Sequence, residues 1–352
     1  MGSDDDGQSL RPRRPTRDDV ATEAGVSSAV VSYVVNDGPR PVSPATRARV
    51  LDAIDRLGYQ PNEIARSLAG QNTSTVGLIA PTLKNPVWAG VSMGITSVLR
   101  EESFLLMVCD AEGCPERDVE YARMLVAKRV DGVVLVPTSS VEATLPILHD
   151  GGIPVVLVEQ VAGNTPSVIV DAVASGRAVT EHLLGLGHRR IAILREHRTS
   201  LGSWQRYLGY EHALADAGLA VDDLLVADSA PGIDGGIVDA SLAAAESLLD
   251  VAVAPTAVFA HNDLMAIAVL QAARRRGLRV PEDLSVVGID DLEVGRYVDP
   301  PLTTLPFPKR ELGELAARKL LDLIAGNKIE ALTSIAPPPL IVRGSTAYFS
   351  TD

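Results

Sequence analysis

The sequence predicts a small all-α unit with a helix-turn-helix, joined to a larger two-lobed α/β unit built on parallel sheets. Three observations carry this. Residues 16–60 hold short helical segments separated by Gly-containing stops, with apolar residues at helical spacing. From residue 75, short Val-rich runs alternate with helix-length stretches, the βα pattern of a parallel sheet. That pattern fills one lobe and then restarts near Val168.

Composition agrees. The chain of 352 residues is 46% apolar but only 4% aromatic, which suits Val-rich strands under Ala-rich helices and excludes general disorder. Residues 1–15 lack apolar periodicity and read as a loose tail. No apolar run reaches the roughly 18 residues of a membrane span, and the start is polar rather than a signal peptide. The expected compartment is therefore cytoplasmic, with no membrane partner. Cys109 and Cys114 have no zinc-site spacing and read as free thiols, so neither a metal nor a cofactor is expected. The net charge of -13 argues against nucleic acid until its distribution is read. Residues 11–70 carry nine Arg against seven Asp and Glu, and the acidic excess lies beyond them. A basic-leaning module on an acidic body leaves the module to meet phosphates.

In chain order, Thr16 and Asp19 form a capping box before Val20 and Ala24. Gly25 makes a turn, and Ser27 caps a second helix over about 28–35, which Asn36-Asp37-Gly38 stops. A third helix begins at Ser43-Pro44, presents Val50, Ile54 and Leu57 on one face, and ends at Gly58. Residues 61–70 are a further helical candidate, too short to be stable alone in water. Beyond them, strands near 76–80, 104–109, 133–136 and 155–158 alternate with helices near 88–102, 116–128 and 141–150. A second set follows, with strands near 168–170, 191–194, 224–227, 257–260 and 284–289, helices between them, and a late helix at 309–325. Two such sets imply two lobes with a ligand cleft between them.

Particular blocks sharpen the reading. DDVATEAGVSSAVVSYVVN (18–36) and VSPATRARVLDAIDRLGYQPNEIARSLAG (42–70) stand at the head. RVDGVVLVP (129–137), GHRRIAIL (187–194), HNDLMAIAVLQAARRRGLRVPEDLSVVGIDD (261–291) and LTTLPFPKRELGELAARKLLDLI (302–324) follow in order. In their order and number these resemble the lactose- and purine-type repressor family, a helix-turn-helix head on a periplasmic-binding-protein-like sensor. The resemblance covers nearly the whole chain from Thr16 to Thr346.

It implies a tail at 1–15, a DNA-binding domain at 16–60, a hinge helix and linker at 61–72, and an effector-binding, dimerising body at 73–346. Lobe 1 would take about 73–166 and 303–330, and lobe 2 about 167–302 and 331–346. In such proteins the second helix enters the major groove. Ser28 and Ala29 would then meet base edges with a further contact at Tyr33, where many relatives carry Arg, whose bidentate guanine contact Tyr cannot reproduce. Thr16, Ser27, Ser32 and Asn36 would position the DNA backbone. Leu68 would wedge into the minor groove, with Ala65 allowing two hinge helices to approach. Around the cleft the matching residues are Trp88, Asp110, Ser139, Trp204, Arg206, Asp263 and Asp290. Arg206 brings a fork suited to vicinal hydroxyls or an acidic group, and Trp88 a face for stacking on a sugar or base.

The expected protein is a homodimeric regulator, a repressor, holding a palindromic operator under control of a sugar. The alternatives are a purine or nucleoside effector, an activator, or a small-molecule-binding protein with no DNA role. An enzyme is not expected: GxGxxG, GxxxxGK[ST] and HExxH are all missing from the sequence.

Overall fold

The computed structural model describes residues 13, 15–35, 38, 40–60, 73–196, 201–230 and 236–349, and it divides into two units at Thr73 and Ser74. The first unit is three helices: α1 (Arg17–Ala24), α2 (Ser28–Val35) and α3 (Pro44–Leu57). Its caps follow from the residues. Thr16 Oγ1 accepts from the Asp19 amide at 3.3 Å, and the Asp19 carboxylate accepts from the Thr16 amide at 2.7 Å. Gly25 and Gly58 end α1 and α3 in the left-handed region, with φ of 65° and 62°. Val20, Val31 and Val50 are fully buried where the three helices meet.

The second unit begins with β1 (Thr75–Ala80), α4 (Pro86–Glu101), β2 (Leu105–Asp110), α5 (Pro115–Lys128), β3 (Gly132–Leu135), α6 (Leu145–Asp150), β4 (Val155–Val158) and β5 (Ser167–Val170). It continues with α7 (Ala172–Gly185), β6 (Ile191–Arg195), α8 (Leu201–Asp216), β7 (Val226–Asp228), α9 (Gly236–Leu249), β8 (Ala257–Ala260) and α10 (Asp263–Arg275). Last come β9 (Ser285–Asp290), β10 (Thr303–Pro306), α11 (Lys309–Ile324) and β11 (Leu332–Ile335). One sheet has the order β11-β5-β4-β3-β1-β2 and the other β10-β9-β8-β6-β7, with parallel pairing throughout. Central strands such as β3, β4 and β8 are buried along their whole length, as parallel strands covered on both faces must be.

The lobes divide at residues other than the expected ones. β5 stays in the first sheet beside β4, with Leu157 opposite Ser167, so the chain leaves that lobe after Val170 and not at 166. β10 belongs to the second sheet, so the return falls after Pro306 and not at 303, and β11 pairs with β5 in the first. The reason is physical. Parallel neighbours are ordinarily joined through a helix, and the link 159–166 has none, so β5 looked like the start of a new set.

Two helix pairs hold the lobes' outer layers. In the second lobe a Cβ at Gly176 of α7 would lie 2.0 Å from the Arg206 carbonyl oxygen of α8, and one at Gly209 would lie 2.1 Å from Val173 O. The backbones therefore touch, which fixes where Arg206 starts. In the first lobe β2 is an edge strand whose Leu105 is 65% exposed, and Met93 on α4 is 67% exposed. No helix among the described residues is long and apolar enough to cross a membrane.

Gly176→Ala should force α7 and α8 apart at a cost of about 1–3 kcal/mol. Thermal denaturation should show the body melting roughly 5 °C lower; an unchanged melting temperature would mean that this backbone contact is not made.

Candidate functional site

In the first unit, α2 buries Val31 and Val34 and leaves Ala29 exposed, with Tyr33 one turn on along the face away from the core and Ser32 beside it. The Ser27 hydroxyl accepts from the Val30 amide at 3.4 Å and so caps α2. Ser28 is engaged: its hydroxyl donates to Asp18 Oδ1 at 2.5 Å, which leaves its lone pairs to accept from a base edge. The Tyr33 ring packs on Gly38, where a Cβ would lie 2.5 Å from Tyr33 Cδ1. Thr16 spends its hydroxyl and amide on the α1 capping box. Asn36, Ala65 and Leu68 lie outside the described residues.

In the second unit a cleft of about 900 Å³, counting the space at its mouth, opens between the carboxyl ends of the two sheets. Four of the sequence-predicted residues line it: Trp88, Ser139, Arg206 and Asp290. Asn85 caps α4, accepting from the Val87 amide at 3.1 Å, and Pro86 sets its first turn, which brings half-buried Trp88 to the wall. Arg206, only 8% exposed, donates from Nη1 to His261 O at 2.6 Å and lies over the Phe307 ring at 5.9 Å. His261 Nε2 stands 3.1 Å from that same Nη1 and 3.3 Å from Glu196 Oε2.

Two polar atoms of this cluster are buried without a partner, Arg206 Nε and Asp290 Oδ2. Asp290 is held with φ at 131°, and Asp291 follows with φ at 48°. Strain of this kind collects at ligand clamps. Burial drives the Asp290 carboxyl well above its ordinary range, with Arg206 opposing and Asp263 reinforcing the rise. Glu159, a residue not singled out from the sequence, also sits in the left-handed region at φ 56° and accepts from the Val170 amide at 2.7 Å. Burial pushes its carboxyl up to about 7 against the pull of Val170 N and Arg206.

Three predicted cleft residues lie elsewhere. Asp110 accepts from the Leu83 amide at 3.2 Å and the Glu112 amide at 2.9 Å, so it shapes the loop beside the cleft. Trp204 is 52% exposed and tilts against Tyr207. Asp263 is fully buried, accepting from Thr304 Oγ1 at 2.5 Å and the Leu292 amide at 2.7 Å, while its neighbour Asn262 lines the cleft. Asn262 is the cap of α10 and Asp263 its first residue. One step of helix turns the carboxylate inward, and the cap position in HND is the signal that would have separated the two. Among the described residues, no group of three or more side chains could hold a metal ion.

An all-helical unit whose second helix leaves Ala29 exposed, and in the same chain a two-lobed unit with a polar cleft, define a ligand-responsive DNA-binding regulator. Residues 16–62 match the lacI family of bacterial regulatory proteins, and residues 180–346 match the periplasmic-binding-protein-like domain. The chain is 33% identical over 331 residues to the HTH-type transcriptional repressor PurR of Vibrio campbellii, covering 93% of this chain and 97% of that one. Among solved structures, the lac repressor dimer bound to operator and the anti-inducer ONPF matches with TM-score 0.84 at 27% identity, over 95% of this chain and all of that one. The complex of the transcriptional regulator CelR with cellobiose matches with TM-score 0.71 at 33% identity, over 94% and 100%. This chain belongs to the lacI family. It is an allosteric, DNA-binding transcriptional regulator controlled by a small ligand.

The raised carboxyl of Glu159 makes the body's stability depend on pH. A folded-state value above the unfolded one favours folding in the protonated form, an advantage complete below the ordinary value of 4.5 and lost as pH rises through about 7. Glu159→Gln keeps an acceptor for Val170 N without that proton. Its melting temperature should match the parent at pH 4 and exceed it at pH 8; parallel pH profiles would refute the raised value.

Proposed function

We propose that this regulator is a repressor whose effector is an uncharged sugar bound in the cleft through Arg206 and Asp290. The observation that carries it is the pair of buried unpartnered atoms, one donor and one acceptor, in the same cleft. A sugar hydroxyl both donates and accepts, so neighbouring hydroxyls satisfy both atoms at once. The Trp88 and Phe307 rings supply apolar faces for the C–H side of a sugar ring, and Ser139 further polar lining. Similarity to a regulator solved with cellobiose supports a carbohydrate, and similarity to proteins named repressors supports repression.

A purine or nucleoside is the second reading, favoured by the similarity to PurR and by the aromatic walls. Titration calorimetry with neutral mono- and disaccharides, cellobiose included, and with purine bases and nucleosides separates them. Sugar binding that falls at least tenfold (about 1.4 kcal/mol) in Asp290→Asn is expected. Binding of a nucleobase alone would overturn the reading.

On the DNA side, Ser28, Ala29 and Tyr33 are proposed to read base edges, with Thr16, Ser27 and Ser32 positioning the backbone. Ser28→Ala should reduce the preference for a specific operator over random duplex while the salt slope stays unchanged, since no phosphate contact is removed.

Dimerisation is proposed to use the exposed face of α4 and β2. Met93→Asp should shift the protein toward monomer in sedimentation at micromolar concentration; an intact dimer would move the interface elsewhere.

A further inference from the structure

The structure carries a side-chain bridge between the lobes at Lys309. Lys309 is the first residue of α11, whose Leu312, Ala316 and Leu320 lie in the core of the first lobe. A cation at a helix N-terminus is opposed by the helix dipole, so the position needs a reason. Its ammonium donates to the carbonyl oxygens of Asp290 at 2.8 Å and Asp291 at 3.3 Å. Asp290 ends β9 in the second lobe and Asp291 follows it, and both have positive φ. Two carbonyls converge on one ammonium across the lobe boundary, and the strained backbone presents them.

The stem of the side chain is equally placed. A Cβ at Gly90 of α4 would lie 2.7 Å from Lys309 Cδ and 2.8 Å from its Cγ, so the methylenes lie against α4 two residues from Trp88. α4 and α11 are themselves locked: a Cβ at Gly94 would lie 2.2 Å from Arg310 O, and one at Gly313 would lie 2.2 Å from Val91 O. From the other side, Asp263 holds the Leu292 amide, and the Arg343 and Arg296 guanidiniums hold the Asp291 carboxylate. The turn that aims Asp290 is thus fixed by its own lobe and by one side chain from the opposite lobe.

We propose that Lys309 is the positioning residue that links Asp290 to the α4–α11 pair, so that the lobe arrangement needed for operator binding depends on this bond. It acts through the Asp290 turn and not on the ligand. The proposal rests on Asp290 being the cleft's responsive residue, and its test adds no effector, so a failed sugar assignment leaves the test intact.

The experiment measures affinity of the full-length dimer for an operator selected in vitro from random duplexes, at fixed salt. Lys309→Met should weaken binding at least fivefold, and Lys309→Arg should restore it to within twofold. Gly90→Ala displaces the stem while keeping the charge, and it should act in the same direction even if Lys309→Met folds poorly. Amide exchange of the ligand-free dimer should quicken in peptides covering 288–293 in Lys309→Met and return to normal in Lys309→Arg. Parental operator affinity in both Lys309→Met and Gly90→Ala would overturn the proposal.

Discussion

The guanidinium of Arg206 is withdrawn from water beside the carboxyls of Glu159, Glu196 and Asp290, yet its shortest hydrogen bond runs to a neutral carbonyl, that of His261. One buried cation thus tempers three acids without being consumed by any of them. The arrangement explains why burial can raise Glu159 and Asp290 while Arg206 opposes the rise at both. It also explains the tight seat behind Arg206. With Gly176 and Gly209 letting α7 and α8 meet backbone to backbone, the charge has little freedom to swing toward a single acid and quench the site.

Around that charge, the groups split into those that meet the cleft and those that aim them. Asp290 lines the cleft, and Asp263, Lys309 and Arg343 hold the turn that presents it. Asp110 does the same for the loop leading to Trp88. The body is therefore rigid behind its polar walls, a condition for small ligand differences to register as a choice between lobe arrangements.

Much of this was legible in the residues. The capping box at Thr16, the Pro44 start and the Gly stops at 25 and 58 are local chemistry, and they define the head without tertiary information. Trp88, Arg206 and Asp290 came from matching blocks. What failed was whatever depends on direction. Asp263 and Asn262 are adjacent in sequence, but one helical step sends one carboxylate to Thr304 and leaves the amide on the cleft. Glu159 went unremarked because nothing local marks an acidic residue as left-handed and half-buried; only the pairing of β4 with β5 puts Val170 N in its reach. The lobe boundary at β5 failed for the same reason, since strand pairing is not a local property.

The edge strand β2 has a consequence for the life of the chain before assembly. A single subunit displays a strand with one open edge, with Leu105 and Val108 open to water, and Met93 exposed on the neighbouring α4. Such an edge is a template for misassembly with any extended chain nearby. With the α4–β2 face as the proposed dimer contact, covering it would give dimerisation a protective duty alongside symmetry. Abundance of the regulator should then feed back on its own quality: dilute subunits are the vulnerable ones, and a surplus shelters itself.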